Sequence, residues 1–155
     1  MMKRSPATLN RRRLLQISTG SVAIMSMPGL ALADEKAFRA SRIAAFGETS
    51  IEEGRVTITL PPIAENGNSV PITVSVDSPM TETSFVKRIV ILSPRNPIPD
   101  VSHYKLGPHS GRAEVSSRIR LAGTQSIEAI AEMNDGTLWS GSKSTVVTLA
   151  ACAIL

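Results

Sequence analysis

From Arg55 onward, apolar and polar positions alternate with a period of two. Val56, Ile58 and Leu60 alternate with Thr57 and Thr59. Val70, Ile72, Val74 and Val76 alternate with Pro71, Thr73 and Ser75. Val115, Ile119 and Leu121 are interleaved with Glu114, Ser116, Arg118 and Arg120. Ile127, Ala129, Ala131 and Met133 alternate with Glu128, Ile130 and Glu132, and Val147 and Leu149 close the series. Such alternation, rich in β-branched residues, predicts half-buried strands. Val86 to Leu92 forms a further strand candidate, a nearly continuous apolar run once Lys87 and Arg88 are passed. Residues 34–50 carry a different spacing. Phe38, Arg42 and Phe46 fall at i, i+4 and i+8 among alanines, which predicts a short helix or arm ended by Gly47 and the Thr49-Ser50 pair.

Turn chemistry separates the strands. Pro61-Pro62 and Glu65-Asn66-Gly67-Asn68 lie between the first two, and Asp77-Ser78-Pro79 follows the second. Asn134-Asp135-Gly136-Thr137 predicts a hairpin, because Asp-Gly tolerates the positive φ of a tight turn. Residues 93–112 are rich in Pro and Gly and read as a long connection with a short strand around His103–Leu106. Strands at this spacing without intervening helices predict an all-β, immunoglobulin-like β-sandwich with a short N-terminal helix. With a single cysteine, no internal disulfide can form, and zinc sites of the usual Cys or Cys/His spacing are excluded.

The charge changes the picture once the N-terminus is read. The 155 residues carry 17 Lys and Arg against 13 Asp and Glu, a net charge of +4, which suggests a polyanion as partner. Aromatics make up 3% of the chain, so surfaces on which bases could stack are scarce. Residues 1–33 then account for the basicity. A basic start (Lys3, Arg4, Arg11, Arg12, Arg13) leads into a weakly apolar stretch that ends in Ala31-Leu32-Ala33 before Asp34. This is the form of an export signal cleaved between Ala33 and Asp34. Arg11 and Arg12, followed by Arg13-Leu14-Leu15-Gln16, match the twin-arginine pattern for folded export to the periplasm. The apolar stretch is too short and too diluted to predict a stable membrane anchor. Cleavage takes five basic and no acidic residues, leaving 122 residues with 12 basic against 13 acidic groups, a charge of −1. The case for nucleic acid goes with them. The chain divides into a signal peptide (1–33), a helix or arm (34–50), a sandwich (51–149) and a tail (150–155).

The search for chemistry converges on the tail. There is no phosphate-binding loop, dinucleotide glycine pattern or nucleophile elbow. His103 and His109 read as solvated loop histidines, Arg118 and Arg120 as a solvated or partner-facing strand face, and Trp139 as core or interface. Capping and solvation account for Asp77, Glu82 and Asp100, which lie near turns. No acid/base pair or metal cluster is evident, which argues against an enzyme. Cys152 stands three residues from the end, where a thiol can be presented to other proteins and can hold a covalent adduct. Cys152-Ala153-Ile154-Leu155 also fits a prenylation pattern, but that chemistry conflicts with a bacterial export signal.

Several stretches together carry a family resemblance. They are Leu60-Pro61-Pro62-Ile63-Ala64-Glu65-Asn66-Gly67, Val74-Ser75-Val76-Asp77-Ser78-Pro79-Met80-Thr81, Ser110-Gly111-Arg112-Ala113-Glu114-Val115, Arg118-Ile119-Arg120-Leu121-Ala122 and Ala131-Glu132-Met133-Asn134-Asp135-Gly136. With the export signal and the C-terminal cysteine, the chain resembles SoxY, the carrier subunit of bacterial thiosulfate oxidation, over roughly residues 35 to 152. The resemblance implies a periplasmic, non-catalytic carrier without a cofactor, paired as a heterodimer with a SoxZ-like subunit. It implies that Cys152 is the covalent attachment site for sulfur. A c-type cytochrome would load it with thiosulfate, a manganese hydrolase would release sulfate, and a sulfur dehydrogenase would oxidise the remaining sulfane sulfur.

The family arm ends in Gly-Gly-Cys-Gly, whereas this chain has Ala150-Ala151-Cys152-Ala153 followed by Ile154-Leu155. Alanine restricts an arm that glycine would leave free. If the last strand continues through Leu149 and Ala151 on its inner face, Cys152 points outward but is tethered. Three readings follow: a carrier, a SoxY-like structural or binding paralogue without carrier activity, and a homodimer disulfide-linked through Cys152.

Overall fold

A computed structural model describes residues 29–151. Among them the chain forms helix α1 (Gly29–Phe46) and strands β1 (Ile51–Glu53), β2 (Val56–Thr59), β3 (Ile63–Asn66), β4 (Val70–Val76), β5 (Val86–Leu92), β6 (Asp100–Lys105), β7 (Glu114–Ile119), β8 (Gln125–Met133) and β9 (Leu138–Leu149). One sheet runs in the order β1-β9-β8-β5-β6, with β3 also paired to β9. The other runs β2-β4-β7. The two sheets enclose one core that includes Ile72, Val74, Ile89, Ile91, Leu121 and Ile127. This is the predicted sandwich.

The alternation in β2, β4 and β8 sends one set of side chains into that core. β5 departs from alternation because both of its faces are covered. Ile89 and Ile91 face the sandwich core, while Val90 and Leu92 join Ile130 and Leu138 in a second cluster. Phe38 and Phe46 of α1, with Ile51, cover this second cluster, so the i, i+8 spacing of the two aromatics is the helix's docking stripe. The helix ends as its sequence suggests. Gly47 takes φ +68° and its N–H donates to the Ile43 carbonyl at 2.7 Å. At its other end the helix begins at Gly29, so it runs across the Ala33–Asp34 junction.

The docked helix is also held electrostatically. Arg88 on β5 donates to Glu132 Oε2 (2.6 Å) and to the Ala45 carbonyl at the end of α1 (3.0 Å), and its guanidinium lies 4.6 Å over the Phe46 ring. Partial burial pushes the Glu132 carboxyl up, but hydrogen bonds and charge from Lys87 and Arg88 outweigh it and leave the pKa below the usual value. Four residues earlier, Glu128 lies 3.6 Å from Arg42 of α1. Here burial dominates and raises the pKa, opposed by Arg42 and reinforced by Glu53.

Differences from the sequence expectation concentrate at β9. The hairpin at Asn134–Thr137 forms as predicted, with Gly136 at φ +88° and Asp135 Oδ1 accepting from the Thr137 hydroxyl (2.7 Å) and N–H (2.9 Å). The strand after it is much longer than Val147 and Leu149 suggest. It pairs antiparallel with β8 from Leu138 to Thr145 and then outruns it. The residues 51–66 run parallel along its opposite edge. β1 pairs with Leu138–Ser140, the chain leaves the sheet at Gly54 and Arg55 (φ +128° and +55°) to form β2 in the other sheet, and it returns as β3 beside Val146–Leu149. Glu65 and Asn66, read as turn, are therefore the end of a strand. The strand expected around His103–Leu106 begins earlier, at Asp100.

Where β2 departs, the sheets approach so closely that Gly141 has no room for a side chain. A Cβ there would overlap the Val56 carbonyl oxygen. Gly141→Ala is expected to destabilise the protein by about 2 kcal/mol in urea unfolding, as overpacking between two fixed backbones. The charges give a second test. A carboxyl whose folded pKa is depressed stabilises the fold above its unfolded value, near 4.5, and loses that contribution as the pH falls through the folded value. Glu132→Gln should cost about 1 kcal/mol at pH 7, with the gap to wild type narrowing as the pH drops below 4.5. Glu128 has the opposite sign: its ionisation costs stability as the pH rises past 4.5.

Candidate functional site

The described chain stops one residue short of the predicted site. Cys152 lies outside the described residues, as do Arg11 and Arg12 of the export signal. Ala33 and Asp34 fall within α1. What the structure defines is the base from which Cys152 departs.

That base is built because β9 outruns β8. From Val146 on, its backbone needs new partners on both edges. On one edge the Val146 N–H donates to the Pro62 carbonyl at 3.0 Å, and β3 continues the pairing to Leu149. On the other, the Val147 N–H donates to Thr124 Oγ1 at 2.9 Å. Buried Thr145 turns its hydroxyl to the Pro61 carbonyl at 2.7 Å. The loop bearing Thr124 is itself fixed by a polar network. Gln125 Oε1 accepts from Ser93 Oγ (2.8 Å) and the Arg95 N–H (2.9 Å), and Asn96 Oδ1 accepts from the Ala122 N–H (2.9 Å). Ser93 and Gln125 are buried, so these bonds satisfy groups that water cannot reach.

Three backbone hydrogen bonds complete the base. The Gly67 N–H donates to the Leu149 carbonyl (2.7 Å), the Leu121 N–H to the Gly67 carbonyl (2.8 Å), and the Ala151 N–H to the Leu121 carbonyl (2.9 Å). The loop after β3, the segment after β7 and the end of β9 are thereby linked at one end of the sandwich. Leu121 is fully buried. Leu149 is on the inner side of β9 in register, yet it is 62% exposed because the sandwich ends beneath it. β9 runs through Leu149 and ends there, so Ala151 lies outside the strand. Gly67 and Leu121 are the residues that sequence reasoning passed over as part of the site. Gly67 was legible as a turn glycine, but its proximity to residues 121 and 149 arises from the fold.

The other candidates are engaged elsewhere. His103 is in β6, with Nε2 2.7 and 2.8 Å from the Asp100 carboxylate oxygens, so it is hydrogen-bonded rather than merely solvated. His109 is exposed in the short 3-10 turn Pro108–Ser110. Arg118 donates to Ser69 Oγ (2.7 Å) and the Ser69 carbonyl (3.2 Å), while Arg120, expected on the same strand face, is exposed just past the end of β7. Trp139 packs partly buried against the core under the Arg55 guanidinium, 4.6 Å from its ring centre. A shallow concavity between β1 and β9 is bordered by Glu53, Glu128, Ser140 and Ser142. Among the described residues, no three His, Cys, Asp or Glu side chains converge as metal ligands. No helix there is long and apolar enough to cross a membrane.

Comparison with known proteins points to one family. The family model described as sulfur oxidation protein SoxY matches residues 42–152. Among solved structures, the chain is similar to the sulfur carrier protein SoxY from Chlorobium limicola f thiosulfatophilum. The identity is 32% and the TM-score 0.60, covering 74% of this chain and 99% of that one. It also resembles the superoxide reductase (neelaredoxin) from Ignicoccus hospitalis at 18% identity and TM-score 0.53, covering 61% of this chain and 80% of that one. The superoxide reductase from Nanoarchaeum equitans matches at 14% identity and TM-score 0.51, covering 61% and 99%. These last two likenesses concern the fold alone. No curated protein matches the chain.

Proposed function

The chain belongs to the SoxY family, the sulfur carriers of the Sox system, and from that premise we propose that it holds sulfur intermediates covalently on Cys152 in the periplasm. One observation carries the assignment of the residue. The family match ends on Cys152, which is the single cysteine of the chain and the residue next to the pinned Ala151. The last described residue, Ala151, is tied to the sandwich by its hydrogen bond to Leu121.

Loading is an oxidation. The Cys152 thiol and thiosulfate form a sulfur–sulfur bond, giving the S-thiosulfonate, one proton and two electrons, and a c-type cytochrome accepts the electrons. A manganese hydrolase then adds water across the terminal bond, releasing sulfate and leaving a persulfide on Cys152. A sulfur dehydrogenase oxidises that sulfane sulfur. The carrier supplies the nucleophilic sulfur and its position, and the partners supply the chemistry. A SoxZ-like subunit completes a heterodimer. Arg11 and Arg12 direct folded export, and the signal is cleaved between Ala33 and Asp34.

The alanines around Cys152 favour a second reading, a structural or binding paralogue in which carrier activity has been lost. Intact-mass analysis of protein isolated from thiosulfate-grown cells separates the two. A carrier shows a thiosulfonate or polysulfane adduct that Cys152→Ser lacks entirely. A bare thiol in exported protein, with no turnover when the other Sox components are supplied, establishes the paralogue. A mass twice that of the monomer without reductant identifies a homodimer linked through Cys152. Replacing Arg11 and Arg12 together by Lys is expected to leave the uncleaved chain in the cytoplasm, read by fractionation and mass.

A further inference from the structure

Ile98 is the most exposed large apolar side chain among the described residues, at 74%. A single exposed isoleucine is ordinary, but the setting of this one is not. It lies in the connection between β5 and β6, within Pro97-Ile98-Pro99. Each proline fixes its own φ and confines the residue before it, Asn96 or Ile98, to extended conformations. The loop closes on itself. The Ser93 N–H donates to the Pro99 carbonyl at 2.8 Å, and the Asn96 N–H donates to the Ser93 carbonyl at 3.2 Å. Pro99 is buried, and Asn96 ties the loop to the segment after β7, with Nδ2 donating to the Arg120 carbonyl at 2.8 Å. Together with the bonds to Gln125 and Ala122, these contacts hold the loop from beneath. A fixed backbone therefore holds Ile98 out in water, and burying it within the chain would break those bonds.

Cations flank this side chain. Arg95, on the same loop, and Arg120, whose carbonyl Asn96 holds, are both exposed. The Arg95 guanidinium lies over Gly123 and is fixed there, with Nη1 donating to the Thr124 carbonyl at 2.7 Å. Among the described residues, neither guanidinium is paired with a carboxylate. Asp100, at the end of the loop, is engaged by His103. We propose that this loop is a docking site for a partner protein, with Ile98 as its apolar anchor and Arg95 and Arg120 as its cationic rim. The charge sets the chemistry of the partner, which is an apolar socket bordered by carboxylates. In such an arrangement a few side chains carry most of the binding energy, because the rim excludes water from the anchor. The fixed loop reduces the entropy lost on docking, and the unpaired guanidiniums steer an acidic surface toward it.

The test places a photoreactive benzoylphenylalanine at position 98 of the full chain, in cells grown on thiosulfate. Illumination should join it to one protein other than this chain, and mass spectrometry should map the cross-link beside Asp or Glu residues of that protein. The same group at position 109, exposed beyond the other end of β6, should not capture it. The captured protein is then purified and titrated against the exported chain. Ile98→Ala should weaken Kd about tenfold, while His109→Ala leaves it unchanged. Arg95→Glu combined with Arg120→Glu should slow association about tenfold at low ionic strength, with the gap closing at high salt. Ile98→Ala removes an exposed side chain and should keep the wild-type melting temperature. If the double charge variant does not fold, Ile98→Ala and the salt dependence of wild-type association carry the comparison.

No capture at position 98, a cross-link to a second copy of this chain, a contact without carboxylates, or an unchanged Kd for Ile98→Ala overturns the proposal. The docking site does not depend on the carrier reading, and the two fail separately. A sulfur adduct on Cys152 without capture at position 98 sinks the docking site alone. Capture at position 98 with the expected loss of affinity, but a bare Cys152, sinks the carrier reading alone.

Discussion

Strand β9 has to satisfy its backbone over twelve residues, although its hairpin partner β8 supplies only nine. An unpaired N–H or carbonyl in a partly buried strand costs about as much as a lost hydrogen bond. Much of the architecture answers that demand. The segment from Ile51 to Asn66 lies along one edge, leaving and re-entering the sheet, and Thr124 and Leu121 serve the other edge once β8 has ended. Because β2 belongs to the second sheet, the same segment also ties the two sheets together.

This demand connects the core to the end of the described chain. The polar network of Ser93, Asn96 and Gln125 fixes the loop that supports β9, and that loop fixes the segment in which Leu121 meets Gly67 and Ala151. Each bond is modest, but together they extend the rigid body to the residue before Cys152.

The opposite face of the β5–β9 sheet is organised around α1. Phe38 and Phe46 cover Val90, Leu92, Ile130 and Leu138, and Arg88 links the end of the helix to Glu132. Glu128 and Glu132, on one face of one strand, titrate in opposite directions. Burial dominates at the first, and paired cations dominate at the second. The helix therefore contributes apolar cover to the sheet and receives fixed charges in return.

Much of the fold was legible from local pattern. The period of two marked β2, β4, β7 and β8, the Asp-Gly pair marked the hairpin before β9, and the aromatic spacing marked the docked face of α1, because alternation and turn chemistry are local properties of the chain. The family resemblance was legible for the same reason, in contiguous stretches of residues. β1, β3 and the first half of β9 were not. Ile51–Glu53 and Ile63–Asn66 are too short and too polar to announce themselves, and they are strands because β9 offers an edge. The sequence by itself determined that a single cysteine stands at the end of an all-β chain. Tertiary structure decided that residues 67, 121 and 151 meet, a contact between segments far apart in the chain whose only local trace is a glycine with no conformational need to be one.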